Sequence, residues 1–423
     1  MRILLENVTL LEGKGFVAIS DGIFESVGEA CPAGKFDRII DCRGGLLIPG
    51  FYNTHCHAAM SLFRGYGDDL PLSRWLNERI FPAEDKLDAE MVYWASLAAC
   101  AEMIRGGVVS FSDMYMFEEQ TAKAVLESGM KANLARGLVS FDENVDMSSD
   151  RRFLEGISLK REYEGAGDGR LKIDMSLHAE YTNVLPACRY VADYCREQGL
   201  RIQIHLSETL GEHERCIEKY GMTPARFFDS AGVFDSPTVA AHCVHVSEED
   251  MNLLAERSVF VSHNPSSNLK LGSGIMPYSK MKEKGIHIAL GTDGAASNNN
   301  LSILKELQLA ALLHKGTELD ATAALASDII ESATRTGALA QGRENCGLIA
   351  PGYRADAVLF DLDTIHTLPV YDPASALVYA ADATNVKLTI CDGRILYENG
   401  EYKSIDIERV KYKIREIADR HYR

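Results

Sequence analysis

Eight stretches of strand character recur through the middle of the chain, at 50–57, 108–113, 133–139, 172–178, 201–207, 238–244, 259–264 and 287–293, and segments with helical spacing separate them. One of these segments, 88–104, sets Met91, Trp94, Leu97, Ala98, Ala101 and Ile104 three or four residues apart before Gly106-Gly107 stops it. That is the pattern of an amphipathic helix closed by glycine. A parallel strand–helix–strand crossover has one favoured hand, so eight such repeats predict a (β/α)8 barrel. A doubly wound open sheet is the alternative, but no glycine-rich phosphate fingerprint follows the first strand.

A barrel uses about 250 residues, and a chain of 423 leaves room for one smaller companion. Both ends are rich in short alternating runs: Ile3-Leu4-Leu5, Val8-Thr9-Leu10 and Phe16-Val17-Ala18-Ile19 at one, Ala357–Phe360 and Val386-Lys387-Leu388-Thr389-Ile390 at the other. Each end carries an Asp-Gly pair, Asp21-Gly22 and Asp392-Gly393, suited to the positive φ angles of a type I′ hairpin turn. Neither end has enough apolar surface to fold alone. We therefore expect residues 1–48 and 346–423 to form one composite β-sandwich domain, with the barrel spanning 49–345.

Lys and Arg number 44 against 61 Asp and Glu, a net charge of −17 with no basic run. Binding to nucleic acid or an anionic membrane is thereby disfavoured. No signal-peptide pattern opens the chain, and no window reaches the ~18 apolar residues of a membrane span. A soluble, cytoplasmic protein is expected; a homo-oligomer is compatible with the sequence. Of the ten cysteines, Cys100, Cys188, Cys195, Cys216 and Cys243 lie in apolar patterns without a C-x-x-C pair. These read as reduced core thiols, and Cys56 as packing too.

The first barrel strand runs Ile48-Pro49-Gly50-Phe51-Tyr52-Asn53-Thr54-His55-Cys56-His57. Side chains alternate faces along a strand, so His55 and His57 project together and Cys56 away. Alone, this His-x-His pair is as compatible with polar surface or a satisfied core as with a metal. In a barrel, however, all C-terminal strand ends open on one face. Strand four ends in His178, strand five in His205 with Glu208 just beyond, strand six in His242 and strand eight in Asp293. So many ligand-type side chains on one rim predict a metal site.

The stretches His205-Leu206-Ser207-Glu208-Thr209, Ala241-His242-Cys243, Ser262-His263-Asn264-Pro265-x-Ser267-Asn268 and Gly291-Thr292-Asp293-Gly294, added to His55-x-His57, resemble the amidohydrolase superfamily. Within it they look like the 5′-methylthioadenosine/S-adenosylhomocysteine deaminases and their chlorohydrolase relatives, over nearly the whole length. The resemblance implies a metal-dependent aminohydrolase with one divalent metal held by His55, His57, His205 and Asp293. Lysine-bridged dinuclear members carry the lysine at the end of strand four, whereas Lys172 stands at its start. Three imidazoles and a carboxylate suit Zn²⁺, with Fe²⁺ and Ni²⁺ also acceptable. Glu208 is then the proton shuttle, and His242 with Asp293 stabilises charge and orients the attacking water. His245 reads as structural.

The rim stretch Arg64-Gly-Tyr-Gly-Asp-Asp-Leu-Pro-Leu-x-x-Trp75-Leu, followed by Phe81-Pro-Ala-Glu84, is similar to the adenosine-analogue deaminases. By that resemblance Glu84 accepts hydrogen bonds from the ribose hydroxyls, His178 contacts the purine and Arg136 the nucleoside's tail, while Glu208 and Asp293 also meet the substrate. Each has a plainer reading: Glu84 as a helix-start charge, Arg136 as half of a salt bridge. Arg151 and Arg152 are the candidates for gripping a homocysteine carboxylate. Hydrolysis of another aminated or halogenated heterocycle, such as a guanine-like base or a triazine, is the alternative; a non-catalytic scaffold would be expected to have lost ligands, and none is lost.

Overall fold

The computed structural model describes residues 1–70 and 72–422; Pro71 of the rim stretch lies outside them. Its centre is a parallel barrel of eight strands: Phe51–Cys56, Val108–Tyr115, Lys131–Arg136, Leu171–Ile173 continued by Met175–Leu177, Ile202–Leu206, Thr238–His242, Phe260–His263 and Ile288–Leu290. Strand four breaks at Asp174. Its backbone N–H still donates to Leu134 O at 3.0 Å, while its carboxylate accepts from the amides of Asn133 at 3.1 Å and Gln203 at 3.0 Å.

The seam between strands eight and one bears directly on function. Asp293 N donates to His55 O at 3.0 Å, so the closure that completes the barrel also sets two candidate ligands side by side. Gly291 permits that approach. A Cβ there would stand 2.4 Å from Asn264 Oδ1 and 2.9 Å from His55 Cβ, distances no side chain tolerates.

The two chain ends join into one continuous nine-stranded mixed sheet. Leu46–Pro49 pairs antiparallel with Ala357–Phe360 at its middle, and a bridge between Ile23 and Arg354 rolls the sheet back on itself. Ile3, Leu5, Val17, Ile19, Phe24, Leu388 and Ile390 fill the enclosed core. Both Asp-Gly pairs adopt positive φ at each residue, 51° and 81° for Asp21 and Gly22, 48° and 70° for Asp392 and Gly393. The turns lie against each other through Ala355, which donates to Gly22 O and accepts from Gly393 N, both at 2.9 Å.

Three features differ from the sequence expectation. The rim segments after strands one and three, where the sequence signals no helix, contain helices: Leu72–Trp75, Leu76–Ile80 and Phe81–Glu84 in the first, and Arg151–Tyr163 in the second. The latter is capped by Asp150, whose Oδ1 accepts from Phe153 N at 3.0 Å, and buries only Phe153, Gly156 and Leu159. So thin an apolar stripe is a weak periodic signal. Finally, the helix Ile407–His421 lies on the barrel helix Ala89–Arg105 rather than on the terminal sheet. Val410 and Ile417 are buried in that contact region, Lys413 reaches Glu90 at 3.4 Å and the Arg409 guanidinium covers the Trp94 ring at 5.1 Å. All ten cysteines are free and only Cys31 is exposed. Among the described residues no helix is long and apolar enough to cross a membrane.

Candidate active site

The strand ends bring the predicted ligands together. His55, His57 and His205 present ligand nitrogens all within 4.8 Å of one another, and His55, His242 and Asp293 form a second such group. Asp293 Oδ1 lies 3.3 Å from His57 Nε2 and 3.6 Å from His55 Nε2. Four residues at these ends, Ser207, His242, Cys243 and Asp293, hold positive φ of 47° to 74° without being glycine. Such strain persists only where surrounding structure enforces it, and it gathers at functional sites.

Hydrogen bonds fix which nitrogen faces the centre. His57 Nδ1 donates to Met114 O at 2.7 Å and His205 Nδ1 to His178 O at 2.6 Å. Both Nε2 atoms are thereby left for a ligand. His55 Nε2 is buried without a hydrogen-bond partner among the described residues, a costly orphan unless something occupies the space in front of it. The carboxylate is aimed as well: Asp293 Oδ2 accepts from Ser267 Oγ at 2.6 Å and Ser297 Oγ at 2.9 Å, and Oδ1 from Gly294 N at 2.7 Å. Burial alone would raise Asp293, yet His55 and His57 hold it well below the usual carboxylate range. Burial pulls His55 down to about 4. For His57 burial acts the same way, but Asp293 outweighs it and carries the imidazole up to about 9. Three imidazoles and one carboxylate, with one orphaned nitrogen, fit a divalent metal such as zinc.

Glu208 and His242 stand beside this centre. Glu208 Oε1 accepts from Ser273 Oγ at 3.0 Å, and Oε2 lies 3.9 Å from His242 Nε2. Asn268 Oδ1 accepts from His242 Nδ1 at 2.8 Å, which turns Nε2 toward Glu208. His245 is occupied elsewhere, with Nε2 donating to Ser273 O at 2.7 Å.

A cavity of about 530 Å³ is lined by His57, His205, Glu208, His242 and Asp293. Glu84, Arg136, His178, Arg151 and Arg152 line the same cavity. Glu84 Oε1 accepts from Tyr115 OH at 2.6 Å; burial raises its pKa against the pull of that bond. His178 Nδ1 pairs with Thr182 Oγ1 at 3.0 Å, and burial among neighbouring histidines lowers it to about 4, leaving a neutral ring. Arg136 is tied to Glu155 Oε2 at 2.7 Å and to Gly137 O at 2.6 Å, so it meets the cavity as part of an ion pair.

Sequence reasoning overlooked the residues that hold the functional ones. Ser267 and Asn268 lie inside a stretch already singled out, but nothing in one sequence says which partner each hydroxyl or amide serves. Tyr115 sits at the end of strand two, the one signal that could have placed it on the rim.

The sequence pattern of the amidohydrolase family matches residues 46–396. A 5-methylthioadenosine/S-adenosylhomocysteine deaminase of Dictyoglomus thermophilum is 44% identical, over 99% of this chain and 98% of its own. A 5′-deoxyadenosine deaminase of Methanothermobacter thermautotrophicus is 41% identical, over 96% and 93%. Among solved structures, an adenosine deaminase from Xanthomonas campestris with bound zinc superposes with a TM-score of 0.92 at 30% identity, covering 99% of this chain and 98% of its own.

Proposed function

Because this chain belongs to the amidohydrolase family, we propose that it is a zinc-dependent hydrolase that deaminates 5′-modified adenosines to the inosine analogues. The observation that carries the reading is the shared cavity: a half-buried carboxylate, Glu84, and the His/Asp cluster face one space of about 530 Å³, in the usual range for a small-molecule site. The names of the relatives point the same way.

One zinc ion held by His55, His57, His205 and Asp293 would supply Lewis acidity, bringing the pKa of a coordinated water near ~7. The protein's own groups do the rest. Glu208 takes a proton from the attacking water and delivers it to purine N1. His242, Nε2 turned to the same place, stabilises the charge that develops on oxygen. Water adds at C6, ammonia leaves with a second proton, and the atoms of substrate and water are conserved in inosine analogue and ammonia. His178, neutral, meets the purine edge; Glu84 accepts from the two ribose hydroxyls. Arg136, Arg151 and Arg152 line the cavity where a charged 5′ substituent would lie.

The test is kcat/KM for 5′-methylthioadenosine, S-adenosylhomocysteine, adenosine and adenine on the wild type and Glu84→Ala. A carboxylate that loses both diol donors and keeps only Tyr115 should cost adenine about 10²-fold or more. Glu84→Ala should erode that preference with zinc retained. Turnover of adenine or a chlorotriazine as fast as any nucleoside would overturn the reading.

A further inference from the structure

Glu84 closes the last turn, Phe81–Glu84, of a continuous helical run over 72–84 whose middle, Leu76–Ile80, is wound as a π-helix. Tyr422, more than three hundred residues away, lies against that turn. Its hydroxyl donates to Ala83 O at 3.2 Å. Its ring packs edge-on against Phe63 at 5.3 Å and Tyr66 at 5.8 Å. Lys86, just past the turn, donates to His421 O at 3.4 Å and lies 5.7 Å from the Tyr422 ring centre. Phe63 is fully buried at the end of the short helix Ala58–Phe63 that follows the His55/His57 strand. One aromatic side chain thus touches both the segment after the metal strand and the segment that carries Glu84.

We propose that Tyr422 is a positioning residue for substrate recognition: it clamps the Phe81–Glu84 turn and so sets where the Glu84 carboxylate meets the sugar. The helix Ile407–His421 delivers it, anchored on the barrel helix by Val410, Ile417 and the Lys413–Glu90 pair. Tyr115 orients the carboxylate from inside the cavity; Tyr422 holds its backbone from outside. The role in specificity rests on the ribose reading of Glu84, whereas the clamp itself does not.

Two measurements on the zinc-loaded enzyme separate these. Amide exchange of residues 81–86 should quicken in Tyr422→Ala and remain near wild type in Tyr422→Phe, which keeps the ring contacts; unchanged exchange in Tyr422→Ala overturns the clamp whatever Glu84 does. In kinetics, Tyr422→Ala should raise KM for 5′-methylthioadenosine about tenfold with kcat within about twofold and zinc content unchanged, since misplaced binding groups cost affinity before chemistry. In a Glu84→Ala background the same change should add little, because both act through one contact. Full additivity, or an equal loss of kcat for nucleoside and free base, would overturn the positioning role. If Glu84→Ala alone leaves nucleoside preference intact while exchange still quickens, the ribose reading fails and the clamp stands.

Discussion

His57 and His205 direct their Nε2 atoms at each other across 3.4 Å, while each ring gives its Nδ1 hydrogen to a backbone carbonyl. Two lone pairs at that distance repel unless a cation or a proton lies between them. Without metal, His57 is carried up to about 9, so at pH 7 it holds a proton that a bound metal would displace. We predict one zinc per chain, with about one proton released on binding and affinity falling about tenfold per pH unit below that value. Zinc titrations in buffers of different ionisation enthalpy read the proton count. Two tightly held equivalents, or no released proton, would contradict it.

Ser267 and Ser297 both donate to the Asp293 oxygen turned away from the histidines. Removing such support typically weakens metal binding about 10–100-fold. Ser267→Ala, which loses the shorter bond, should therefore lower zinc affinity in chelator competition by that order, with the fold intact by circular dichroism. An unchanged affinity would show that Ser297 and the Gly294 N–H suffice to hold the carboxylate.

Glu208 touches Ser273 and faces His242 but lies outside the ligand groups. Glu208→Gln should keep one zinc and lower kcat by about 10²–10⁴, the usual worth of a positioned acid–base group. Zinc loss with normal turnover per bound zinc would make Glu208 a support for the metal instead.

The barrel was legible because strand and helix periods alternate eight times, and the gathering of the candidate ligands because the fold sends every strand end to one rim. What escaped the sequence depends on distant pairing. Asp293 shares a seam with His55 only once the barrel closes, and the Ser267 hydroxyl gains meaning only there. The rim helix Arg151–Tyr163 hid behind a mostly charged surface with three buried positions. Ile407–His421 has clear helical amphipathicity, yet no local signal says that its apolar face belongs to the barrel rather than to the sheet that precedes it. Tyr422 was invisible for the same reason: its partners Phe63 and Ala83 are brought to it by tertiary packing alone.

Acid stability turns on a buried histidine pair away from the candidate metal ligands. His263 and His314 are buried with their Nε2 atoms 3.0 Å apart, and the His314 ring stacks on Tyr278 at 4.8 Å. Burial lowers His314 from 6.5 to about 4. In the unfolded chain the imidazole takes a proton near pH 6.5, while in the fold it stays neutral to about 4. Between those values unfolding takes up a proton, so stability is lost as pH falls and is unaffected above them. A shift of that size corresponds to roughly 3 kcal/mol over the window. His314→Gln keeps an amide for His263 and cannot titrate. It should be less stable at pH 7 yet lose less between pH 7 and 4.5 when urea midpoints are compared. Metal release in acid is common to both proteins, so the difference between their slopes reports the His314 ring together with its effect on His263, which burial and His314 both hold down; parallel losses would mean that His314 takes up its proton as readily folded as unfolded.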